Sequence, residues 1–255
     1  MFQGKRVIVT AGAAGIGRQV ADRFIAEGAQ VAVCDVDADA ISGFLNSHPK
    51  MTALKCDITK EDEVSGFFDD ATSALGGLDI LINNAGIAGP AAPVESMDYA
   101  GWQMCLEVNL GGMFLAAKAS IPAIRAAGGG SIINMSSTAG LFGFPNRSPY
   151  CVAKWGVIGF TKTLAMELGG DNIRSNAICP GAVEGDRMER VLAAEAAASG
   201  SSVEDLRRAY VECTSLKTWV TADDIADAIL YLCSDHAKRI SGQILPVDGH
   251  SESIS

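Results

Sequence analysis

The sequence predicts an α/β protein built on one doubly wound parallel sheet of about seven strands, Rossmann-like, with helices on both faces. Short β-branched or apolar runs alternate with longer stretches of helical periodicity. Right-handed crossovers between such runs must cover both faces of a sheet. Paired or tripled glycines, Gly76-Gly77, Gly128-Gly129-Gly130 and Gly169-Gly170, each end a helical stretch just before an apolar run.

The elements follow in order. Strands are expected at 6–10, 30–35, 52–56, 78–83, 131–135, 173–178 and 243–246. Helices are expected at 15–27, 61–75, 99–127, 150–168 and 222–234, with a weaker one at 38–45. Strict alternation breaks at 184–216, where Ala-rich, acidic helical sequence intervenes before the last helix. It leaves from the carboxyl end of the sixth strand, where the ligand crevice of an open α/β sheet lies, so it reads as a substrate lid. The alternative is a structural helix pair.

A chain of 255 residues, 48% hydrophobic, is long enough for a sizeable core, and no linker or repeat divides it. One catalytic domain over 1–255 is the expectation. A net charge of -10 argues against a grip on nucleic acid or an anionic membrane and favours a small-molecule partner. Seven cysteines, an odd number with no CxxC pair, point to a reducing cytoplasm rather than to disulfides or zinc. The first residues run directly into a strand, with no signal-peptide pattern. His48, His236 and His250 fall outside every motif, and no metal is expected.

Val7-Ile8-Val9-Thr10 leads into Ala11-Gly12-Ala13-Ala14-Gly15-Ile16-Gly17 and then a helix. Glycines there let a backbone approach a pyrophosphate, whose charge sits on the exposed amides at the helix start. Asp35 closes the second strand about twenty residues later, where a carboxylate accepts from a ribose 2'-hydroxyl and repels a 2'-phosphate; no Arg follows it. That pattern favours NAD over NADP. Asp35 is alternatively the cap of the helix at 38–45. Farther along, Tyr150 and Lys154 stand four residues apart, on one helix face about a turn from each other. An ammonium beside a phenol favours phenolate and suits the Tyr to general acid/base work. The same spacing occurs in many helices with no such role.

Taken together, the residues resemble the short-chain dehydrogenase/reductase family over essentially the whole chain. The family's TGxxxGxG appears as Thr10 to Gly17, with Ala11 where its first glycine usually stands. Gly12, Gly15, Ile16 and Gly17 then match its cofactor turn, Asp57 its adenine-contacting acid, and Asn83-Asn84-Ala85-Gly86 its NNAG segment. The resemblance implies a catalytic tetrad of Asn109, Ser137, Tyr150 and Lys154. Asn109 would hold a water relay, Ser137 would polarise the substrate oxygen, and Lys154 would also reach the nicotinamide ribose; Ser136 is read as structural. Pro180, Gly181 and Val183 match the segment that meets the carboxamide, while Gly185 stands where the family often has Thr.

The implied activity is hydride transfer between NAD(H) and a secondary alcohol or ketone. A dinucleotide-binding module without turnover would need a broken tetrad, and a Rossmann-like methyltransferase has no use for Tyr150 and Lys154. For substrate, Arg147 lies three residues before Tyr150 and Arg187 opens the lid, so the two suggest a clamp for an anionic group. The alternatives are a surface or subunit contact for Arg147 and an apolar pocket from Phe142, Phe144 and Met188. The helices at 99–127 and 150–168 are apolar on more than one face, including Met113, Phe114, Leu115, Val157, Ile158, Phe160 and Leu164. The family resemblance implies that they pair across a twofold axis, with a second axis beside the last strand, giving a homotetramer.

Overall fold

In a computed structural model, which describes residues 1–252, all seven expected strands form. They are β1 (Arg6–Thr10), β2 (Gln30–Asp35), β3 (Thr52–Lys55), β4 (Ile80–Asn83), β5 (Gly130–Met135), β6 (Ile173–Pro180) and β7 (Ile244–Val247). Every pairing is parallel, in the order β3-β2-β1-β4-β5-β6-β7. The order reverses between β1 and β4, so the loops leaving these two strands diverge and open a crevice at their carboxyl ends.

Because successive strand residues face opposite ways, Val7 and Val9 enter one layer and Ile8 the other. The first layer joins Val31 and Val33 to Val20 and Phe24 of α1 (Gly15–Ala26), Phe44 of α2 (Ala38–Ser47) and Ile225 and Ile229 of α9 (Ala222–Cys233). The second joins Leu81 and Ile132 to Phe67 and Phe68 of α3 (Glu61–Leu75), Ala116 of α5 (Gly112–Ala126) and Leu164 of α6 (Ser148–Leu168). Each fully buried Val, Ile, Leu or Phe contributes about 1.5 to 3 kcal/mol. These two layers are therefore the rigid support for the loops above them.

The helix expected at 99–127 arrives in three parts: α4 (Tyr99–Leu106), a π-helical turn (Glu107–Gly111) and α5. The turn has a local cause. Asn109 Nδ2 donates to the carbonyl of Cys105, four residues back, at 2.8 Å, and so competes for the acceptor that a regular helix would give to the backbone. The same amide group also donates to the Ile87 carbonyl at 2.9 Å.

The stretch at 184–216 forms two helices, α7 (Asp186–Ser199) and α8 (Val203–Glu212). They leave and return at one place, where Val183 bridges Val220 and the Glu184 amide donates to the Val220 carbonyl at 2.9 Å. Gly185 at the start has φ 132, a conformation that a Thr rarely adopts. The family's usual side chain there does not suit this hinge.

Ala11, where the family glycine usually stands, has φ 48. An L-residue in that region costs about 1 to 2 kcal/mol, partly offset by the lower unfolded-state entropy of Ala than of Gly. Ala11→Gly is expected to stabilise the fold by about 0.5 to 1 kcal/mol and to raise the thermal midpoint by a few degrees. An unchanged or lower midpoint contradicts this.

Candidate active site

The crevice between β1 and β4 is lined first by the glycine turn. A methyl group on Gly12 would come within 2.7 Å of Val33 Cγ1, and one on Gly17 within 2.2 Å of the Ala11 carbonyl oxygen. Both positions are closed to any side chain. Gly15 has φ 55 and open space where a side chain would stand, and half-buried Ile16 packs back against the core. No side chain caps α1, so its first amides face the crevice as an anion site would require. This cradle fits a pyrophosphate.

Asn84 and Ala85 are knitted to the same turn, and Gly86 follows them. The amides of Asn84 and Ala85 donate to Thr10 Oγ1, both at 3.0 Å, and Asn84 Nδ2 donates to the carbonyls of Thr10 and Ala11 at 3.0 Å. Thr10 thus holds the two walls together, a role its sequence position alone does not single out. Its signals were a hydroxyl ending an otherwise apolar strand and its place at the head of the TGxxxGxG segment.

Asp35 Oδ2 accepts from the Ala13 amide at 3.3 Å, placing the carboxylate against the glycine turn. It does not cap α2; Asp37 does, accepting from Asp39 and Ala40. Asp57 accepts from the Thr59 amide and hydroxyl at 3.0 and 2.8 Å, bonds that hold it below the usual carboxylate range. On the far wall, buried Pro180 ends β6, and the Gly181 amide donates to the Val247 carbonyl at 3.0 Å. Gly181 lies so close to Asp248 that a methyl group would meet its Cβ at 2.8 Å.

The tetrad residues converge at the end of β5. Lys154, 3% exposed, donates from Nζ to the Met135 carbonyl at 2.8 Å. Ser136 anchors the helix that carries it, donating to the Lys154 carbonyl at 2.9 Å. Lys154 Nζ lies 5.5 Å from the centre of the Tyr150 ring. Burial would raise the Tyr150 phenol, but Lys154, Arg187, the facing Ser137 hydroxyl and Arg147 together bring it below its ordinary value. Burial pushes the Lys154 ammonium down, against the opposing pull of Tyr150. Ser137 Oγ accepts from the Ala139 amide at 3.1 Å, which orients the hydroxyl. The π turn brings Asn109 alongside: its buried Oδ1 accepts no hydrogen bond from the described residues. It would meet a methyl group on Gly86 at 2.6 Å, and Lys154 Nζ would lie 3.5 Å from that same methyl.

The chain is similar to several known proteins. Residues 11–249 match the family model described as enoyl-(acyl carrier protein) reductase. The cis-4-hydroxycyclohexanecarboxylate dehydrogenase of Sinomonas cyclohexanicum is 34% identical over 97% of this chain and 96% of its own length. The solved structure of a 7 alpha-hydroxysteroid dehydrogenase complexed with NADH and 7-oxo glycochenodeoxycholic acid is 34% identical. It superposes with a TM-score of 0.89 over 98% of this chain and 95% of that one. An NAD+-bound xylitol dehydrogenase, 29% identical, gives 0.93 over 98% and 99%. The chain belongs to the short-chain dehydrogenase/reductase family. It is an oxidoreductase acting on CH-OH groups.

Around this dehydrogenase site stand the two arginines. Arg147 is no surface residue: it is 7% exposed, with its guanidinium carbon 5.7 Å from the centre of the Phe144 ring and 5.8 Å from that of Tyr150. Its Nε has no hydrogen-bond partner among the described residues. Arg187, at the start of α7, is exposed and donates to the Gly86 carbonyl at 3.4 Å, reaching across the crevice. Phe142, Phe144 and Met188 are half-buried; Phe144 packs on Arg147.

The lowered phenol sets the pH dependence. Alcohol oxidation needs Tyr150 ionised, so its kcat/KM should rise with pH and level off above a midpoint below the ordinary phenol value. Ketone reduction needs the phenol and should fall through the same range. Lys154→Met removes the leading stabiliser of phenolate, so the oxidation limb should move to higher pH, with about a hundredfold or greater loss near neutrality. A pH profile with an unmoved limb in Lys154→Met would contradict this assignment.

Proposed function

We propose that this chain is a single-domain, cytoplasmic, homotetrameric NAD-dependent dehydrogenase or ketone reductase whose substrate carries an anionic group. The observation that carries the reaction is the Tyr150 phenol, facing the Ser137 hydroxyl and neighboured by the buried Lys154 ammonium. Both hydroxyls can reach one substrate oxygen, and the phenol can exchange a proton with it. Bound NAD supplies hydride exchange with the carbinol carbon. Tyr150 takes the hydroxyl proton in oxidation and returns it in reduction, while Ser137 holds the oxygen. Lys154 keeps the phenolate accessible and would bind the nicotinamide ribose, and Asn109 would support the proton relay behind it.

The cofactor is NAD(H) rather than NADP(H). Gly12, Gly15, Ile16 and Gly17 would hold its pyrophosphate, Asp35 its ribose hydroxyls, and Asp57 its adenine. Asn84, Ala85, Gly86, Pro180, Gly181 and Val183 would line the nicotinamide half. Two related enzymes are named with NADH and NAD+.

The substrate's charge rests on Arg147. A buried guanidinium lacking an anionic partner is unfavourable, and an acid bound beside Tyr150 supplies the partner. Arg187 closes the other side, with α7 and α8 as the lid. Relatives alone do not decide the charge: one acts on a carboxylate, one was solved with a bile acid, and one is named for the neutral polyol xylitol.

Seven free cysteines, none in a disulfide, suit a reducing compartment. The 28-residue run Tyr99–Ala126 is long and apolar enough to cross a membrane, but its inner face packs in the second core layer. Outward it shows Phe114, and α6 shows Val152, Trp155 and Met166, all at least half exposed. These faces suit pairing with a second copy.

Following reduced-nicotinamide absorbance over paired hydroxyacids and their amides tests the reading. NAD should outperform NADP, and acids should outperform amides. Arg147→Ala should raise KM for the acid by about one to two decades, the worth of a charge-assisted pair, with little change for the amide. Equal losses for both would return the substrate to the apolar lining.

A further inference from the structure

Three charged side chains, Arg147, Lys154 and Asp248, are buried among the described residues, each 8% exposed or less. Lys154 donates to the Met135 carbonyl, and Asp248 accepts from the amides of His250 and Ser251. The Arg147 side chain has neither an ion pair nor a hydrogen bond among the described residues; it lies against the Phe144 and Tyr150 rings, and its charge also reaches the Cys105 and Cys151 thiols and Tyr210 of α8, whose hydroxyl donates to the Glu195 carboxylate of α7.

Two buried cations and one exposed cation therefore act on one phenol. The charged groups facing Tyr150 are Lys154 and Arg147 from α6 and Arg187 from α7, with the Ser137 hydroxyl after β5. The Cys105 thiol of α4 and the Cys179 thiol of β6 lie behind Lys154, and burial raises both. Lys154 is committed to a carbonyl, and Arg187 is exposed to solvent screening. Arg147 acts on Tyr150 more weakly than Lys154 and Arg187, but it is the buried cation of the three whose side chain has no ion pair or hydrogen bond among the described residues. A phenolate so stabilised is also a weaker base, because the charge that favours its ionisation opposes its taking a proton.

Resting on the anionic-substrate reading, we propose that Arg147 is a charge-coupled positioning residue. Without substrate, its cation holds the Tyr150 phenolate; when the substrate's carboxylate pairs with it, that support is withdrawn and the phenolate recovers its basicity beside the hydroxyl to be deprotonated. In the oxidation step the carbinol O-H bond breaks and its proton forms a bond to Tyr150 Oη. The C-H electron pair leaves as hydride to oxidised nicotinamide, and the oxygen electron pair closes the carbonyl. A neutral substrate receives the same geometry without the increase in basicity. The charge of the substrate's far end thereby selects for turnover as well as for binding.

Tyrosinate absorbance of the NAD-loaded enzyme, titrated with pH and corrected with Tyr150→Phe, reads the coupling directly, with propanoate as the unreactive carboxylate and propanamide as the neutral control. Saturating propanoate should lower the ratio of Tyr150 phenolate to phenol at fixed pH by about fivefold, the scale of one partly screened charge nearby. Propanamide should leave it unchanged. In Arg147→Gln the midpoint should already lie higher and ignore propanoate, while Arg147→Lys should restore both the lower midpoint and the response. Propanoate that binds by calorimetry but leaves the titration unmoved overturns the coupling and leaves the anionic substrate standing. Propanoate that fails to bind overturns both. A response in Arg147→Gln equal to that of the unaltered enzyme overturns the role of Arg147.

Discussion

The buried ammonium of Lys154 is the constraint on which the site depends. Its 2.8 Å hydrogen bond to the Met135 carbonyl joins α6 to the end of β5, and Ser136 repeats the joint from the other side. Given that joint, the helical spacing of four residues places Tyr150 beside the cation, and β5 delivers Ser137 to the phenol. Removing the ammonium would loosen the register between helix and strand as well as raise the phenol. A charge this deep is costly between the apolar layers, and its hydrogen bond to the carbonyl offsets part of that cost.

Departures from regular structure cluster at the same edge. Ala11 occupies a left-handed conformation, Asn109 diverts a helix into a π turn, and Arg147 is buried without a counter-ion. The opposite edge shows ordinary stabilising chemistry, such as the Arg6 guanidinium paired with Asp79 at 2.7 Å. Strain of this kind persists where the surrounding packing over-determines it, and here the two apolar layers do so. Between them a polar thread crosses the sheet: Asn83 donates to Asn134, which donates to Thr161 of α6 and Ser175 of β6. Fully buried and directional, it fixes how β4, β5, β6 and α6 align under the site.

Strand positions and most helix limits were legible because they rest on local patterns. Val7-Ile8-Val9 reads as a buried strand wherever it folds, and Tyr150 and Lys154 share a helix face by spacing alone. What stayed hidden depends on long-range neighbours. Asn109 in a helical stretch marked an unfavourable residue, but the π turn that uses it arises from bonds to Cys105 and Ile87. Asp35 was read alternatively as the cap of α2, a role that Asp37 takes while Asp35 engages the glycine turn. The contacts of Thr10 with the NNAG segment span more than seventy residues. Arg147 looked like a surface or subunit contact as readily as a site residue, since a guanidinium three positions before Tyr150 has no burial signature of its own.

The central claim is that one phenolic oxygen performs the proton transfer. Tyr150→Phe deletes that oxygen while keeping the ring that packs between Arg147 and Lys154. Turnover in either direction should fall at least about a hundredfold, in line with the usual contribution of a general acid/base, while NADH affinity measured by fluorescence titration stays within about a factor of two or three. Retention of more than roughly a tenth of the activity, with NADH still bound, would contradict the assignment of Tyr150 as the acid/base.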